Sequence, residues 1–254
     1  MNMSGNTILV TGGTSGIGHA LAAQLLERGN TVLITGRSEG RLASARETLP
    51  GVHTFICDQS DPAAIARLYE EAIAAFPALN ILVNNAGIGP KRNLNDTSAP
   101  LADLEAEFRA NLIGPVQLVQ QFLPKLKRQR SAVIMNVTSG LAFVPLGPKP
   151  LYSASKAALH AYTAVLRAQL AHTAVRVVEL APPATATAFN AGQEDMNTRG
   201  LMSADKVARA TVRGLERDRE LILPGAAGAL RLLGRLRPNL VLRRGDAERM
   251  GDTV

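Results

Sequence analysis

The chain has 254 residues, 46% of them hydrophobic, with 22 glycines, only 4% aromatics and no tryptophan. That supplies a sizeable core of aliphatic layers and argues against an aromatic-rich sandwich. A single cysteine, Cys57, excludes an internal disulfide and a cysteine-based zinc cluster, and a net charge of +7 raises the question of a polyanionic partner.

Taken in chain order, the strand candidates are TILVTG (7–12), TVLITG (31–36), VHTFICD (52–58), ILVNNAG (81–87), AVIMNVTSG (132–140), VRVVELAPP (175–183) and ELILPG (220–225). Helical patterns fall between them at 16–28, 38–48, 61–76, 101–128, 153–171 and 203–217. The first six strand candidates are near-continuous apolar runs, as expected of strands covered on both faces. The alternation predicts right-handed βαβ units. It points to an α/β fold, a Rossmann-type doubly wound sheet of about seven parallel strands with helices on both faces. No internal repeat, low-complexity linker or composition break divides residues 1–254, so a single domain is expected. Two stretches break the rhythm, 87–100 and 185–202. Loops of this length in a compact α/β domain serve function or move. Cys57 lies in an apolar run and reads as a buried, inert thiol.

The first strand runs straight into TGGTSGIG (11–18) and then into helix, with the spacing Gly12-x-x-x-Gly16-x-Gly18. Such a turn lets backbone N–H groups approach a pyrophosphate and lets helix pack close to strand. The second strand ends in Gly36-Arg37. NAD-binding versions of this arrangement place a carboxylate near that point for the ribose 2′-hydroxyl. Here none is present, and Arg37 offers a guanidinium to a 2′-phosphate, so NADP(H) is expected over NAD(H).

Tyr152 and Lys156 begin the helical run LYSASKAALHAYTAVLRAQL (151–170), four apart and therefore on one face. The pair alone leaves two readings open: ordinary surface chemistry, or a lysine placed to change the acidity of a phenol. The basic charge gathers in KLKRQR (125–130) and LRLLGRLRPNLVLRR (230–244). Neither interleaves aromatics with its cations, and no zinc-finger, RRM or basic-zipper signature is present, so these are read as solvated helix ends and no nucleic-acid partner is expected. In the second segment Leu230, Leu233 and Leu236 fall three apart, with Arg231, Arg235 and Arg237 between them and Pro238 ending the pattern. That segment is too short to span a bilayer. It is expected to bury its leucines in protein rather than lie on an anionic membrane. The start, MNMSGNTILVTGG, lacks a basic region followed by a long apolar one, and no apolar stretch approaches about 18 residues. The expectation is a soluble, cytoplasmic protein with no membrane span.

With TGGTSGIG (11–18), NNAG (84–87), Asn111, NVTSG (136–140), YSASK (152–156) and APPATAT (181–187) in order, the chain resembles a short-chain dehydrogenase/reductase of the compact single-domain type over at least residues 6–225. SGNTILVTGGTSGIG and SGLAFVPL, with the YSASKAALHAYT run, make it similar to the DltE-type oxidoreductases in particular. The resemblance implies roles. Tyr152 is the acid that protonates a carbonyl oxygen, or the base in reverse, and Lys156 draws the phenol toward its working range and holds the nicotinamide ribose. A free tyrosine, with a pKa of about 10, is almost fully protonated at neutral pH, which is why a nearby cation would matter. Ser139 hydrogen-bonds the carbonyl oxygen, and Asn111 anchors a water that links Lys156 to solvent. Gly12, Thr14, Ser15, Gly16, Ile17 and Gly18 hold the pyrophosphate, and Asp58 meets the adenine. Asn85, Ala86 and Gly87 line the adenosine, Val137 backs the nicotinamide, and Pro182, Thr185 and Thr187 hold its carboxamide and phosphate end. No metal is implied.

Two departures stand out. Pro182-Pro183 replaces the family's usual Pro-Gly, removing an N–H and a flexible residue, and His19 stands where a basic residue is common. The substrate pocket is expected from residues 141–146, 88–96 and a lid at about 185–202. Leu141, Phe143, Val144 and Phe189 indicate an apolar carbonyl compound. The expected product of this reading is an NADP(H)-dependent oxidoreductase acting on a small-molecule ketone or aldehyde, with a basic C-terminal extension at 226–254 and a homodimeric or homotetrameric assembly. The alternative is a dinucleotide-binding sensor or scaffold without turnover.

Overall fold

The computed structural model describes residues 2–98, 100–187, 189 and 201–237. The apolar run after Asn6 forms β1 (Thr7–Val10), every residue of it buried. The glycine turn then opens α1 (Gly16–Leu26), followed by β2 (Thr31–Gly36). Ser38 caps α2 (Glu39–Thr48) by accepting the N–H of Arg41, and β3 (His53–Ile56) follows. Asp61 caps α3 (Pro62–Ala75), with Pro62 in the first turn, where its missing N–H costs nothing. Next come β4 (Leu79–Asn84), α4 (Leu101–Phe108) and α5 (Gly114–Leu126). β5 (Ala132–Val137) and α6 (Pro150–Gln169) carry the NVTSG and YSASK motifs, and β6 (Val175–Leu180) follows. The chain then forms β7 (Thr185–Ala186), β8 (Met202–Ser203), α7 (Ala204–Glu216), β9 (Leu221–Ile222) and α8 (Ala227–Leu236).

Seven strands make one sheet in the order β3-β2-β1-β4-β5-β6-β9, every ladder parallel. This is the doubly wound sheet read from the sequence. Alternate residues of one strand serve opposite faces. Ile8 and Val10 join Leu21, Leu25, Ile34 and Val212 on one side, and Leu9 joins Leu68, Phe122, Ile134 and Leu166 on the other. Strand order reverses between β1 and β4, and the crevice beyond the carboxyl ends of strands at such a switch is where open α/β sheets bind ligands. Both the glycine turn and Asn85–Gly87 sit there.

The structure departs from the expected elements in three places. The predicted helix 101–128 is divided by a π-helical turn, Arg109–Ile113, which contains Asn111. Behind it, Gly114 meets the backbone of residue 59 so closely that a Cβ would lie 2.3 Å from the Gln59 carbonyl oxygen. The predicted loop 185–202 has paired ends, Thr185 with Met202 and Ala186 with Ser203, in a small parallel ladder apart from the main sheet. Finally, residues 227–236, outside the predicted helical patterns, form a helix that carries Leu230, Leu233 and Leu236. The remainder of the predicted lid, residues 188 and 190–200, and the C-terminal stretch 238–254 lie outside the described residues. Among the described residues no helix is long and apolar enough to cross a membrane.

Candidate functional site

The turn after β1 is built for close approach. Gly12 has φ +66°, and a Cβ there would sit 2.9 Å from Ala86 Cα. Gly18 packs so tightly under the turn that a Cβ would lie 2.4 Å from the Gly12 carbonyl oxygen. Thr11 Oγ1 accepts the N–H groups of both Asn85 and Ala86 at 3.0 Å, joining the ends of β1 and β4. Asn85 Nδ2 donates to the Thr11 carbonyl at 2.8 Å and to that of Gly12 at 3.2 Å. Ser15, at the N-cap of α1, makes no side-chain cap bond. The first N–H groups of that helix, with the positive end of its dipole, are thus left for an anion.

A cavity of about 790 Å³ opens over this turn. Gly12, Thr14, Ser15, Gly16, Ile17, Arg37, Asp58, Asn85, Ala86, Gly87, Val137, Ser139, Tyr152, Lys156, Pro182, Thr185 and Thr187 all line it. Two sequence candidates do not. Gly18 lies beneath the turn, and Asn111 is wholly buried behind Gly87, where a Cβ would meet Asn111 Oδ1 at 2.9 Å. Asn111 is committed to backbone support: Oδ1 accepts the Ile88 N–H at 2.9 Å, and Nδ2 donates to the Ile88 carbonyl at 2.7 Å and to Ser155 Oγ at 3.1 Å. At the far end, the exposed Arg37 lies 4.0 Å from the half-buried Asp58, and Ser38 and Arg41 join them on the cavity wall. Sequence reading missed Arg41. The signal was the Ser38 cap, which starts α2 at this wall and brings its first turn to the cavity. Cys57 is buried, and burial, helped by Asp58 and Asp61, pushes its thiol up to about 11, as suits an inert group.

At the other end the side chains of Tyr152 and Ser139 line the cavity together. Burial pushes the phenol up to about 12; the Ser139 hydroxyl opposes that shift and the negative charge of Glu107 adds to it. Lys156 donates to the Val137 carbonyl at 2.8 Å, with Nζ 5.8 Å from the Tyr152 ring centroid, and burial pushes its ammonium down to about 8. The expected lowering of the phenol by Lys156 is therefore not seen in this state. Desolvation outweighs a cation that points at a carbonyl, and Tyr152 stands protonated, as an acid must. Ser139 is fixed by accepting the Leu141 N–H at 3.1 Å, and the Pro182 carbonyl accepts the Gly140 N–H at 2.9 Å. Pro183 does not disturb this strap; its carbonyl takes the Thr185 hydroxyl at 2.8 Å.

Beyond Tyr152 the walls are Ile88, Leu141, Leu146, Lys149, Phe189 and Leu230. Phe143 and Val144, expected here, face elsewhere: the Phe143 ring packs on His160 at 5.1 Å and Val144 is buried. Leu230 comes from α8, which sits against the Ser139 loop because Gly234 lets it. A Cβ at Gly234 would lie 2.3 Å from the Phe143 carbonyl oxygen. Of the C-terminal leucines expected to be covered, Leu230 turns inward, whereas Leu233 and Leu236 are exposed on this chain, with Leu232. Sequence reading missed Leu230 and Lys149 as site residues. A glycine four places after a leucine was the signal for the first, and a lysine between Pro148 and Pro150, at the entry to the helix of Tyr152, for the second.

The sequence profile of the short chain dehydrogenase family matches residues 6–198. An uncharacterized oxidoreductase, DltE of Bacillus subtilis (strain 168), is 45% identical over 210 residues, 82% of this chain and 83% of its own. A short chain dehydrogenase from Burkholderia cenocepacia J2315, solved in complex with NADP, superposes with a TM-score of 0.83 at 27% identity, covering 96% of this chain and 98% of that one. A short chain dehydrogenase/reductase from Burkholderia phymatum, solved with NAD, gives a TM-score of 0.83 at 25% identity over 92% and 95%. A parallel sheet with its cavity at the switch point, and a family profile spanning well over half the sequence, lead to one conclusion: this chain belongs to the short-chain dehydrogenase family.

Proposed function

We propose that the protein is an NADP(H)-dependent carbonyl reductase, running also as an alcohol dehydrogenase, on a carbonyl substrate with an apolar body. The observation that carries this reading is that the Ser139 and Tyr152 hydroxyls line the same cavity as the open glycine turn and Lys156. The nicotinamide supplies or takes the hydride when bound. The chain's own residues do the rest. The glycine turn and the first turn of α1 receive the pyrophosphate, and Lys156 the ribose. Ser139 orients a carbonyl oxygen, and Tyr152, held protonated by burial, gives that oxygen its proton. Leu141, Leu146, Phe189 and Leu230 exclude water around the carbon skeleton.

The choice of NADP(H) rests on Arg37 and Arg41, two guanidiniums on the wall where a ribose 2′-phosphate would lie. Arg37→Ala is expected to weaken NADPH by about 1–3 kcal/mol, the size of lost charged hydrogen bonds, and NADH by much less. Fluorescence titration of both cofactors against wild type and variant tests it. Equal losses, or tighter NADH binding in the wild type, would reassign the cofactor.

Assembly is part of the same reading. Ile113 and Val165 stand exposed on the π turn and on α6, the segments that carry Asn111 and Tyr152, and they support a homodimer or homotetramer. Light scattering of the full chain is expected to give two or four times the monomer mass. A monomer would count against it.

A further inference from the structure

One face of α6 meets the sheet through polar side chains. Tyr152, Lys156, His160 and Thr163 follow one another at spacings of four, four and three, and so share that face. Behind Tyr152 the other three reach β5 and β6. Lys156 donates to the Val137 carbonyl at 2.8 Å, and Thr163 Oγ1 accepts Asn136 Nδ2 at 2.9 Å. Between them, His160 Nδ1 lies 2.9 Å from both carboxylate oxygens of Glu179 on β6. Neither His160 nor Glu179 lines the cavity, so whatever they contribute to it passes through other residues.

The Glu179 side chain is only 2% exposed, and its Oε1 also takes the Thr138 hydroxyl at 2.7 Å, the shorter of that hydroxyl's two contacts, the other being the Leu180 carbonyl at 3.3 Å. A carboxylate offers acceptors, so Nδ1 is the ring nitrogen that carries a proton here. The imidazole also packs edge-on against the Phe143 ring, with centroids 5.1 Å apart. Ser139 opens the short helical turn Gly140–Ala142 and Phe143 closes it. His160 therefore holds this turn from both flanks, through Glu179 and Thr138 on one and Phe143 on the other, while its own backbone belongs to the helix of Tyr152. An apolar pair would dock α6 on β6 without desolvating a carboxylate. What the hydrogen bonds supply in its place is a fixed distance and direction, which apolar contacts leave loose.

We propose that His160 and Glu179 are positioning residues that set the separation of the Ser139 and Tyr152 hydroxyls, the chain His160–Glu179–Thr138 tying the helix of one to the strand end of the other. This rests on the carbonyl-reductase reading, in which both hydroxyls must reach a single carbonyl oxygen. The N–H groups of Thr138 and Gly140 donate to the Leu180 and Pro182 carbonyls at 2.8 and 2.9 Å, which fixes the turn to β6 but not to α6. Lys156 links α6 to Val137, yet in that reading its ammonium also serves the nicotinamide ribose. The His160–Glu179 contact has no such second duty, and it keeps the two hydroxyls in register whether or not the cofactor is bound.

The test uses the full chain with NADPH, and 2-octanone and octanal as probes. His160→Leu removes the donor, and His160→Asn returns an N–H near the Nδ1 position. The double variant His160→Leu/Glu179→Leu removes donor and buried charge together. His160→Leu is expected to lower kcat roughly 10- to 100-fold, the cost of about 1 Å of misplacement, with KM and NADPH affinity within about 2-fold of wild type. His160→Asn should regain most of that loss. The double variant should recover the folding stability that His160→Leu loses, since no charge is left unpaired, and still keep the low kcat. That split separates positioning from plain support of the fold. Should His160→Leu not fold, Thr138→Val breaks the chain at its other end, with Thr138→Ser as its rescue. Crystal structures of the wild type and the double variant are expected to differ by about 0.5 Å or more in the Ser139 Oγ to Tyr152 Oη separation. An unchanged separation, or a double variant that turns over like the wild type, would overturn the proposal and leave the reductase reading standing. A changed separation in a protein whose wild type reduces neither probe would keep the positioning pair and count against the reductase.

Discussion

Tyr152→Phe is expected to lower kcat by on the order of 10²–10⁴-fold, the usual contribution of a positioned proton donor, while NADPH still binds. The substitution removes one oxygen and leaves the ring, which packs at 5.3 Å from Phe189 and beneath Lys149, so the cavity wall stays in place. The proton has no ready substitute. Ser139, on the same cavity wall, is a far weaker acid, and Lys156 points at the Val137 carbonyl. With its pKa near 12, the wild-type phenol is protonated across the neutral range, so reduction should not lose its acid as pH rises from 6 to 9. Steady-state assays on an accepted carbonyl compound, beside a titration of NADPH fluorescence, separate chemistry from binding. A variant that turned over like the wild type would remove Tyr152 from the reaction. If the wild type itself bound NADPH and reduced nothing, the sensor reading would take its place.

The second large effect is structural. Phe122→Ala is expected to cost about 3–5 kcal/mol of folding free energy, through lost burial and the cavity left behind. Phe122, on α5, is wholly buried, its ring edge-on to Tyr69 of α3 at 5.1 Å, among Leu68, Leu118, Ile134 and Leu166. These neighbours come from three helices and the central sheet, so no single side chain can move into the space. Urea unfolding should show a lower midpoint at an unchanged slope. A loss below about 1 kcal/mol would mean that the layer collapses onto the gap, against the rigidity such a packed site implies.

Features carried by neighbouring residues were legible in the sequence, and features made by distant ones were not. The near-continuous apolar runs of β1, β4 and β5 declared strands buried on both faces, and Gly12, Gly16 and Gly18 declared a close-approach turn at the switch point. The π turn around Asn111 was hidden because it depends on Gln59, more than fifty residues away, whose carbonyl meets Gly114. The ladder of Thr185 with Met202 is likewise non-local, and two-residue strands have no pattern of their own. Tyr152 and Lys156 were found together, yet the direction of the phenol's shift was not. Spacing places two side chains on one face but does not say that an ammonium will turn to Val137, or that burial will dominate. Phe143 and Val144 were misplaced for a similar reason. Both are apolar and follow Ser139, but the short helical turn at Gly140–Ala142 rotates them out of the cavity.

The contact of Gly234 with the Phe143 carbonyl has a consequence for how such a protein can diversify. In the proposed reading the hydroxyls that act on a carbonyl, Ser139 and Tyr152, follow β5 and stand on α6, whereas part of the cavity wall, Leu230, is delivered by the last described helix. On that reading, chemistry and selectivity are encoded in separable lengths of the gene. Exchanging the segment from Gly225 onward, with a glycine kept at the crossing point, would graft a new ligand preference onto an unchanged reaction, and a library confined to α8 would explore substrates without disturbing the proton donor.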